Sequence, residues 1–153
     1  MSSRLQTALD YAARGIPVFP CIVNGKKPAC AHGLDDRTTD RHQIEVWWSQ
    51  ADFNIGVVPE DMGHAVIDFD GVEPDSRFPW TYCVRTPSGG CHLYYEGSLP
   101  PSAGKIDKGI DTRGRQSYVL VPPSYVIERD KGYEGAYTVE QFTVAPLPAW
   151  ISE

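Results

Sequence analysis

No apolar run in this chain is long enough to span a bilayer as a helix. The N-terminus lacks the apolar centre of a signal peptide, because Arg4 leads into an amphipathic stretch. Cysteine is sparse and unpaired in sequence. Cys21, Cys30, Cys83 and Cys91 form no Cys-x-x-Cys, so the ligand spacing of a structural zinc site is missing and no zinc is expected, even with His32 close to Cys30. Free thiols in a reducing cytoplasm are the simpler expectation. There is no Gly-x-x-x-x-Gly-Lys-Ser/Thr loop and no Gly-x-Ser-x-Gly elbow, which argues against a P-loop ATPase and an α/β-hydrolase. Cys91 beside His92 is no thiol–imidazole pair, since neighbours on a strand face opposite ways. Positive charge is also short: 14 Lys and Arg against 20 Asp and Glu give a net charge of −6. That balance speaks against a non-specific nucleic-acid coat protein, though not against an enzyme with one local basic groove. Repeats and low-complexity tracts are absent, so residues 1–153 read as a single domain.

What is plentiful is turn chemistry. Thirteen prolines and fourteen glycines favour a strand-rich mixed fold over a helix bundle. Ser2 or Ser3 can cap a helix carrying Leu5, Ala8, Leu9, Ala12 and Ala13 at helical spacing, with Gly15 as its stop. Residues 16–23 read as an irregular or edge strand because of Pro17 and Pro20. Thr39 or Asp40 can cap a second helix running to Trp48. Residues 54–58 and 64–69 read as two strands of a hairpin. Residues 71–79 read as a loop, and residues 81–85 and 92–95 as two more strands around the turn Pro87-Ser88-Gly89-Gly90. Residues 99–108 read as a Pro/Gly/Lys loop. Ile110 and residues 118–121 flank a turn at Arg113-Gly114-Arg115, and residues 125–127 and 133–137 form a further strand pair. Residues 145–150 close the domain and can pack Trp150. The sum is helix–strand–helix followed by antiparallel strands, an α+β fold.

The chemistry concentrates where apolar runs meet acids. In Ala65-Val66-Ile67-Asp68-Phe69-Asp70, a strand would point Asp68 and Asp70 to one face and Phe69 to the other. Two like charges on one face call for a cation, and a hard divalent ion held by carboxylates and phosphates is one such cation. Asp111, in Gly109-Ile110-Asp111-Thr112-Arg113-Gly114, is a third acid at a strand. His92 follows Thr86-Pro87-Ser88-Gly89-Gly90-Cys91, where the glycines could present N–H groups to an anion. Lys105, Lys108, Arg113 and Arg115 make a basic stretch around Asp111, and Lys26 and Lys27 a second small patch. Of the aromatic residues, Tyr94, Tyr95, Trp80, Trp47, Trp48 and Tyr118 could stack on bases, though strand positions favour the core.

In order, these pieces resemble the primase–polymerase (prim-pol) domain of the archaeo-eukaryotic primase superfamily, as found in phage and plasmid replication proteins. The segments that carry the resemblance begin with Ala12-Ala13-Arg14-Gly15-Ile16-Pro17-Val18-Phe19-Pro20, Gly25-Lys26-Lys27-Pro28, Trp47-Trp48 and Asn54-Ile55-Gly56-Val57. They continue through the Asp68, His92 and Asp111 motifs and end with Val121-Pro122-Pro123-Ser124 and Pro146-Leu147-Pro148-Ala149-Trp150. The resemblance implies an RRM-like antiparallel catalytic sheet joined to a smaller N-terminal α/β unit. It also implies that Asp68, Asp70 and Asp111 hold two Mg²⁺ or Mn²⁺ ions. His92, with Ser88, Gly89, Gly90 and Arg113, would bind the phosphates of a nucleoside triphosphate. The implied partners are nucleoside triphosphates, a single-stranded DNA template with its primer, and a helicase in cis or in trans. The implied compartment is the cytoplasm of a bacterial or archaeal host, and the implied context is the N-terminal part of a larger replication protein. Two departures stand out: many relatives carry Ser where Gly90 stands, and relatives often carry a helix where residues 70–81 are short and Pro-rich.

The implied reaction is template-directed nucleotidyl transfer by a two-metal mechanism. The acids alone leave other readings open: a two-metal nuclease, an inactive nucleotide- or single-strand-binding module of a replication initiator, or a plain ion-paired domain.

Overall fold

The computed structural model describes residues 3–152, so Ser2, one of the two expected caps, lies outside the described residues, as does the side chain of Lys105. Helix α1 (Ser3–Ala13) places Ala8 and Leu9 inward, and Gly15 ends it at φ +80. Strand β1 (Phe19–Cys21) is shorter than the residues 16–23 expected, and it lies at a sheet edge, where Pro20 costs no ladder bond. Helix α2 (Arg41–Gln50) is capped by Asp40, whose carboxylate accepts from the His42 N–H at 3.3 Å. Ile44 and Trp48 form its buried stripe. Strands β1, β2 (Asn54–Val57) and β8 (Val119–Leu120) make a small antiparallel sheet in the order β1-β2-β8. With α1 and α2 it forms the smaller α/β unit.

The large sheet runs in the order β11-β4-β5-β3-β7-β6. Its members are β3 (His64–Phe69), β4 (Tyr82–Arg85), β5 (Cys91–Glu96), β6 (Ser102–Asp107), β7 (Ile110–Arg113) and β11 (Thr138–Gln141). The four strands β4-β5-β3-β7 are antiparallel neighbours in the order second-third-first-fourth, the RRM-like arrangement of a β-α-β-β-α-β unit. Neither crossover carries an α-helix: residues 70–81 are irregular, and residues 97–109 contain strand β6. Strands β9 (Tyr125–Glu128) and β10 (Tyr133–Ala136) form a separate hairpin, as expected. The short strand β12 (Ala145–Pro146) runs parallel to the end of β5 and leads into α3 (Ala149–Ser152). Trp150 there packs edge-on against Phe78, with ring centroids 5.3 Å apart.

Two expectations about connections need correction. Strands β2 and β3 are not a hairpin. Pro59 starts a 3-10 turn (Pro59–Met62), Gly63 follows it in the left-handed region at φ +73, and the chain thereby leaves the small sheet for the large one. Residues 99–108 are not simply a loop, since β6 lies within them. Its Gly104 and Lys105, following Pro100 and Pro101, read as loop chemistry, yet it pairs with β7 at the end of the sheet, with a register shift between Ala103 and Asp107.

The period-two alternation of β3 sorts the large sheet into two faces. Ala65, Ile67 and Phe69 join Cys83, Cys91, Leu93, Tyr95 and Ile110 in one core, closed by Phe78 and Leu99. Val66, Val84 and Tyr94 on the other face join Ala8, Leu9, Ile44, Trp48, Phe19 and Ile55 in a second core. The α/β unit therefore covers one end of that second face. The other end of the face stays open, and there the acids stand.

Candidate active site on the open face of the large sheet

Register decides which side chains meet. Asp68 on β3 pairs with His92 on β5 on one side and with Asp111 on β7 on the other. Directly opposed residues point to the same face with Cβ atoms about 5 Å apart. Arg113, two residues beyond Asp111 and opposite Val66, shares that face. The contacts follow: His92 Nε2 lies 3.4 Å from Asp68 Oδ1, and Arg113 Nη2 lies 3.9 Å from Asp68 Oδ2 and 3.3 Å from Asp111 Oδ2. Burial works to raise the pKa of Asp68. His92, through a hydrogen bond and its charge, together with Arg113 and Lys26, outweighs that effect and holds the carboxyl below its ordinary value. His92 is buried beside Tyr137, the ring centroids 5.9 Å apart, and its Nδ1 has no partner among the described residues.

Asp70 lies one residue past the end of β3 and is exposed, its backbone N–H donating to Gly109 O at 2.8 Å. It lines a cavity of about 130 Å³ with Asp68, His92, Thr86, Ser88, Lys26 and Lys131. A neighbouring cavity of about 430 Å³ shares Lys26, Asp68, His92 and Tyr137, and adds Arg113, Ser117 and Tyr118. The two form one cleft between the open face, the small sheet and the β9–β10 hairpin.

The turn residues have a structural account of their own. Gly89 sits at φ +92, and its N–H donates to Thr86 O at 3.0 Å, so that amide is engaged within the turn. A Cβ at Gly90 would lie 2.1 Å from Phe69 O, so the turn rests directly on the backbone of β3 beside Asp70. The Ser88 hydroxyl faces the Thr86 hydroxyl at 3.2 Å and lines the smaller cavity.

Sequence reading missed two cations of the cleft. Lys26 looked like part of a separate patch, yet its Nζ lies 3.0 Å from Tyr133 Oη and it lines both cavities. Buried Asn54 brings it there. Its side-chain amide donates to Gly25 O at 2.8 Å and Tyr125 O at 2.7 Å, and its Oδ1 accepts from Tyr125 N–H, which fastens the Lys26 turn to the β9–β10 hairpin. Lys131, at the tip of that hairpin, is the second cation. Only these long-range contacts could have revealed either residue. The expected basic stretch around Asp111 is not gathered: of Lys108, Arg113 and Arg115, only Arg113 lines the cleft.

Among the described residues, no group of three or more His, Cys, Asp and Glu is arranged to hold a metal. What the fold brings together is the opposed pair Asp68 and Asp111, with Asp70 beside Asp68 in the smaller cavity. Two hard oxygen donors of this kind fit a divalent ion that takes its remaining ligands from water and phosphate.

The aromatic residues divide as strand positions dictate. Tyr94, Tyr95 and Trp48 are core, Tyr118 lines the cleft, and Trp80 is 86% exposed beside a separate cavity on the opposite face of the sheet. No helix among the described residues is long and apolar enough to cross a membrane.

No curated protein matches the chain. Residues 8–150 match the Prim-Pol family, described as "Bifunctional DNA primase/polymerase, N-terminal", a family of primase/polymerase-type nucleotidyl transfer. With the match covering nearly the whole chain, this protein belongs to the Prim-Pol family.

Proposed function

We propose that this domain is a metal-dependent primase–polymerase that adds nucleotides to a primer 3′-hydroxyl under the direction of a single-stranded DNA template. The observation that carries the reading is the convergence of Asp68, His92, Asp111 and Arg113, from three adjacent strands, on one open face lined by Lys26 and Lys131. Asp68 and Asp111, with Asp70 beside Asp68, would hold the divalent ions. When bound, such ions activate the attacking hydroxyl and neutralise charge on the leaving pyrophosphate. Lys26 and Lys131 attract the triphosphate from the opposite wall of the cleft, and the Ser88 hydroxyl and His92 orient its oxygens. His92 is fixed for this task by Asp68 on one nitrogen and by packing on Tyr137. The 3′-hydroxyl approaches along the larger cavity, which Tyr118 and Ser117 help to line.

The test is primer extension on a labelled primed template, with an unprimed template in parallel, using nucleoside triphosphates with Mg²⁺ or Mn²⁺. Wild type is expected to add nucleotides. Asp68→Asn is expected to lose about 10²–10³-fold or more of the rate while keeping its circular-dichroism spectrum. Shortening of the primer with no addition would instead identify a nuclease. Triphosphate binding without turnover would identify a binding module.

A further inference from the structure

We propose that Arg113 is an internal counter-cation of the Asp68–Asp111 pair, and that it must swing away before the two carboxylates can hold a divalent ion. The inference rests on the reading that these two acids form the metal site, and it adds a gate to that site. Asp68 and Asp111 are direct register partners, and like charges at opposed positions of a sheet repel. The fold relieves that repulsion from within. One guanidinium nitrogen, Nη2 of Arg113, lies 3.3 Å from Asp111 Oδ2 and 3.9 Å from Asp68 Oδ2. The other oxygen of Asp68 faces His92, so the oxygen turned toward Asp111 is the one that Arg113 approaches. A divalent ion held by this pair would draw on the same two carboxylates, and its charge would repel a guanidinium left in place.

The local backbone allows the side chain alone to move. Arg113 ends β7, and the next residue is held tightly. A Cβ at Gly114 would lie 2.1 Å from Leu99 O, the Gly114 N–H donates to Ser117 Oγ at 2.9 Å, and the Arg115 N–H donates to Leu99 O at 3.0 Å. The Arg113 side chain is 35% exposed and lines the cavity of about 430 Å³, which gives it room to turn. The direction of that turn is toward the cleft in which Lys26 already stands, where a polyphosphate would accept the guanidinium. Arg113 thus exchanges one anionic partner for another, and the acids are released for the ion as the nucleotide arrives. An ordinary structural ion pair has no such dependence.

The test reads metal binding and needs no turnover. Mn²⁺ alone is titrated into the full chain, and free Mn²⁺ is followed by electron paramagnetic resonance. If the guanidinium occupies the pair about nine-tenths of the time, Arg113→Gln should bind Mn²⁺ about tenfold more tightly than wild type. Arg113→Lys should stay close to wild type, and Asp68→Asn placed on Arg113→Gln should abolish the gain. Equal or weaker Mn²⁺ binding by Arg113→Gln overturns the gate. Should Arg113→Gln fold poorly, wild type supplies the second measurement. The Nε–Hε resonance of Arg113, assigned with Arg113→Lys, is expected to shift and saturate during a Mg²⁺ titration, and a resonance unmoved at saturating Mg²⁺ overturns the gate. The two ideas fail differently. Loss of Mn²⁺ binding in Asp68→Asn, with no gain in Arg113→Gln, rejects the gate but keeps the metal site. Unchanged binding in Asp68→Asn rejects both.

Discussion

Asp68 and His92 are register partners on β3 and β5, and Nε2 of the histidine lies 3.4 Å from Oδ1 of the carboxylate. The carboxyl of Asp68 is held below its ordinary value even though burial opposes its charge, because His92, Arg113 and Lys26 together outweigh the burial. A group whose folded pKa is depressed stabilises the fold while it is ionised, and that contribution is lost as pH falls through the folded value. We therefore expect the stability of wild type to fall relative to that of Asp68→Asn as pH drops below about 4, the ordinary carboxylate range. Urea denaturation at pH 6, 5, 4 and 3 would read the difference, and a constant gap down to pH 3 would rule this coupling out.

Lys26 reaches the cleft from the turn after β1 and stands over the Tyr133 ring, 5.5 Å from its centroid. Removal of one charge-assisted phosphate contact costs about 1.5 kcal/mol, or roughly tenfold in affinity. Lys26→Gln is expected to raise the KM for nucleoside triphosphate by that factor with a smaller change in kcat. Steady-state primer extension at several nucleotide concentrations measures it, and an unchanged KM would remove Lys26 from the phosphate wall.

Gly90 has no clearance for a side chain, whereas Gly89 has open space around it and only an unfavourable φ. Gly89→Ala should cost about 1–2 kcal/mol for the left-handed backbone. Gly90→Ala should cost more, about 3 kcal/mol, because the turn must lift off the carbonyl of Phe69. Chemical denaturation of the two variants side by side gives the ranking. The opposite ranking would mean that the turn does not rest on β3.

Asn54 is fully buried and makes three hydrogen bonds to the backbone of the Lys26 turn and of β9. Asn54→Ala leaves two carbonyls and an N–H without these partners, at a cost of about 3 kcal/mol. Because the same bonds place Lys26, the variant should also bind triphosphate less well at temperatures where it remains folded. Thermal denaturation and fluorescence titration with a labelled nucleotide would separate the two effects.

Trp80 lies on the face of the sheet away from the acids, 86% exposed. Trp80→Ala should change stability by less than about 0.5 kcal/mol and leave primer extension intact. A large loss of template binding in this variant would put the template on the wrong face for the mechanism proposed above.

What the sequence made legible was whatever local periodicity encodes. The alternation in residues 64–69 put Asp68 on the face opposite Ile67 and Phe69, and the Pro-Ser-Gly-Gly turn marked the hairpin that carries His92. Asp40 could be read as a cap because the side-chain oxygen of a cap acts within its own helical turn. Most of the failures were long-range. Residues 54–58 and 64–69 looked like a hairpin because sequence spacing does not reveal that a 3-10 turn carries the chain between sheets. Strand β6 was hidden because the prolines and glycine around it read as turn chemistry, and only its pairing with β7 makes it a strand. Lys26 and Lys131 reach the site through Asn54 and through a hairpin whose docking no local motif encodes.

The three strands β5, β3 and β7 are immediate neighbours, and each contributes its key side chain at the same level of the ladder. The spacing from imidazole to carboxylate to carboxylate is thus set by the repeat of the sheet, about 4.8 Å per strand, rather than by any loop. Insertions or losses in the crossovers can reshape what surrounds the site without altering that spacing. The same rigidity limits repair: a residue pushed off its level by a bulge in β3 would move Asp68 out of line with both partners at once, and no neighbouring side chain on the ladder could take its place.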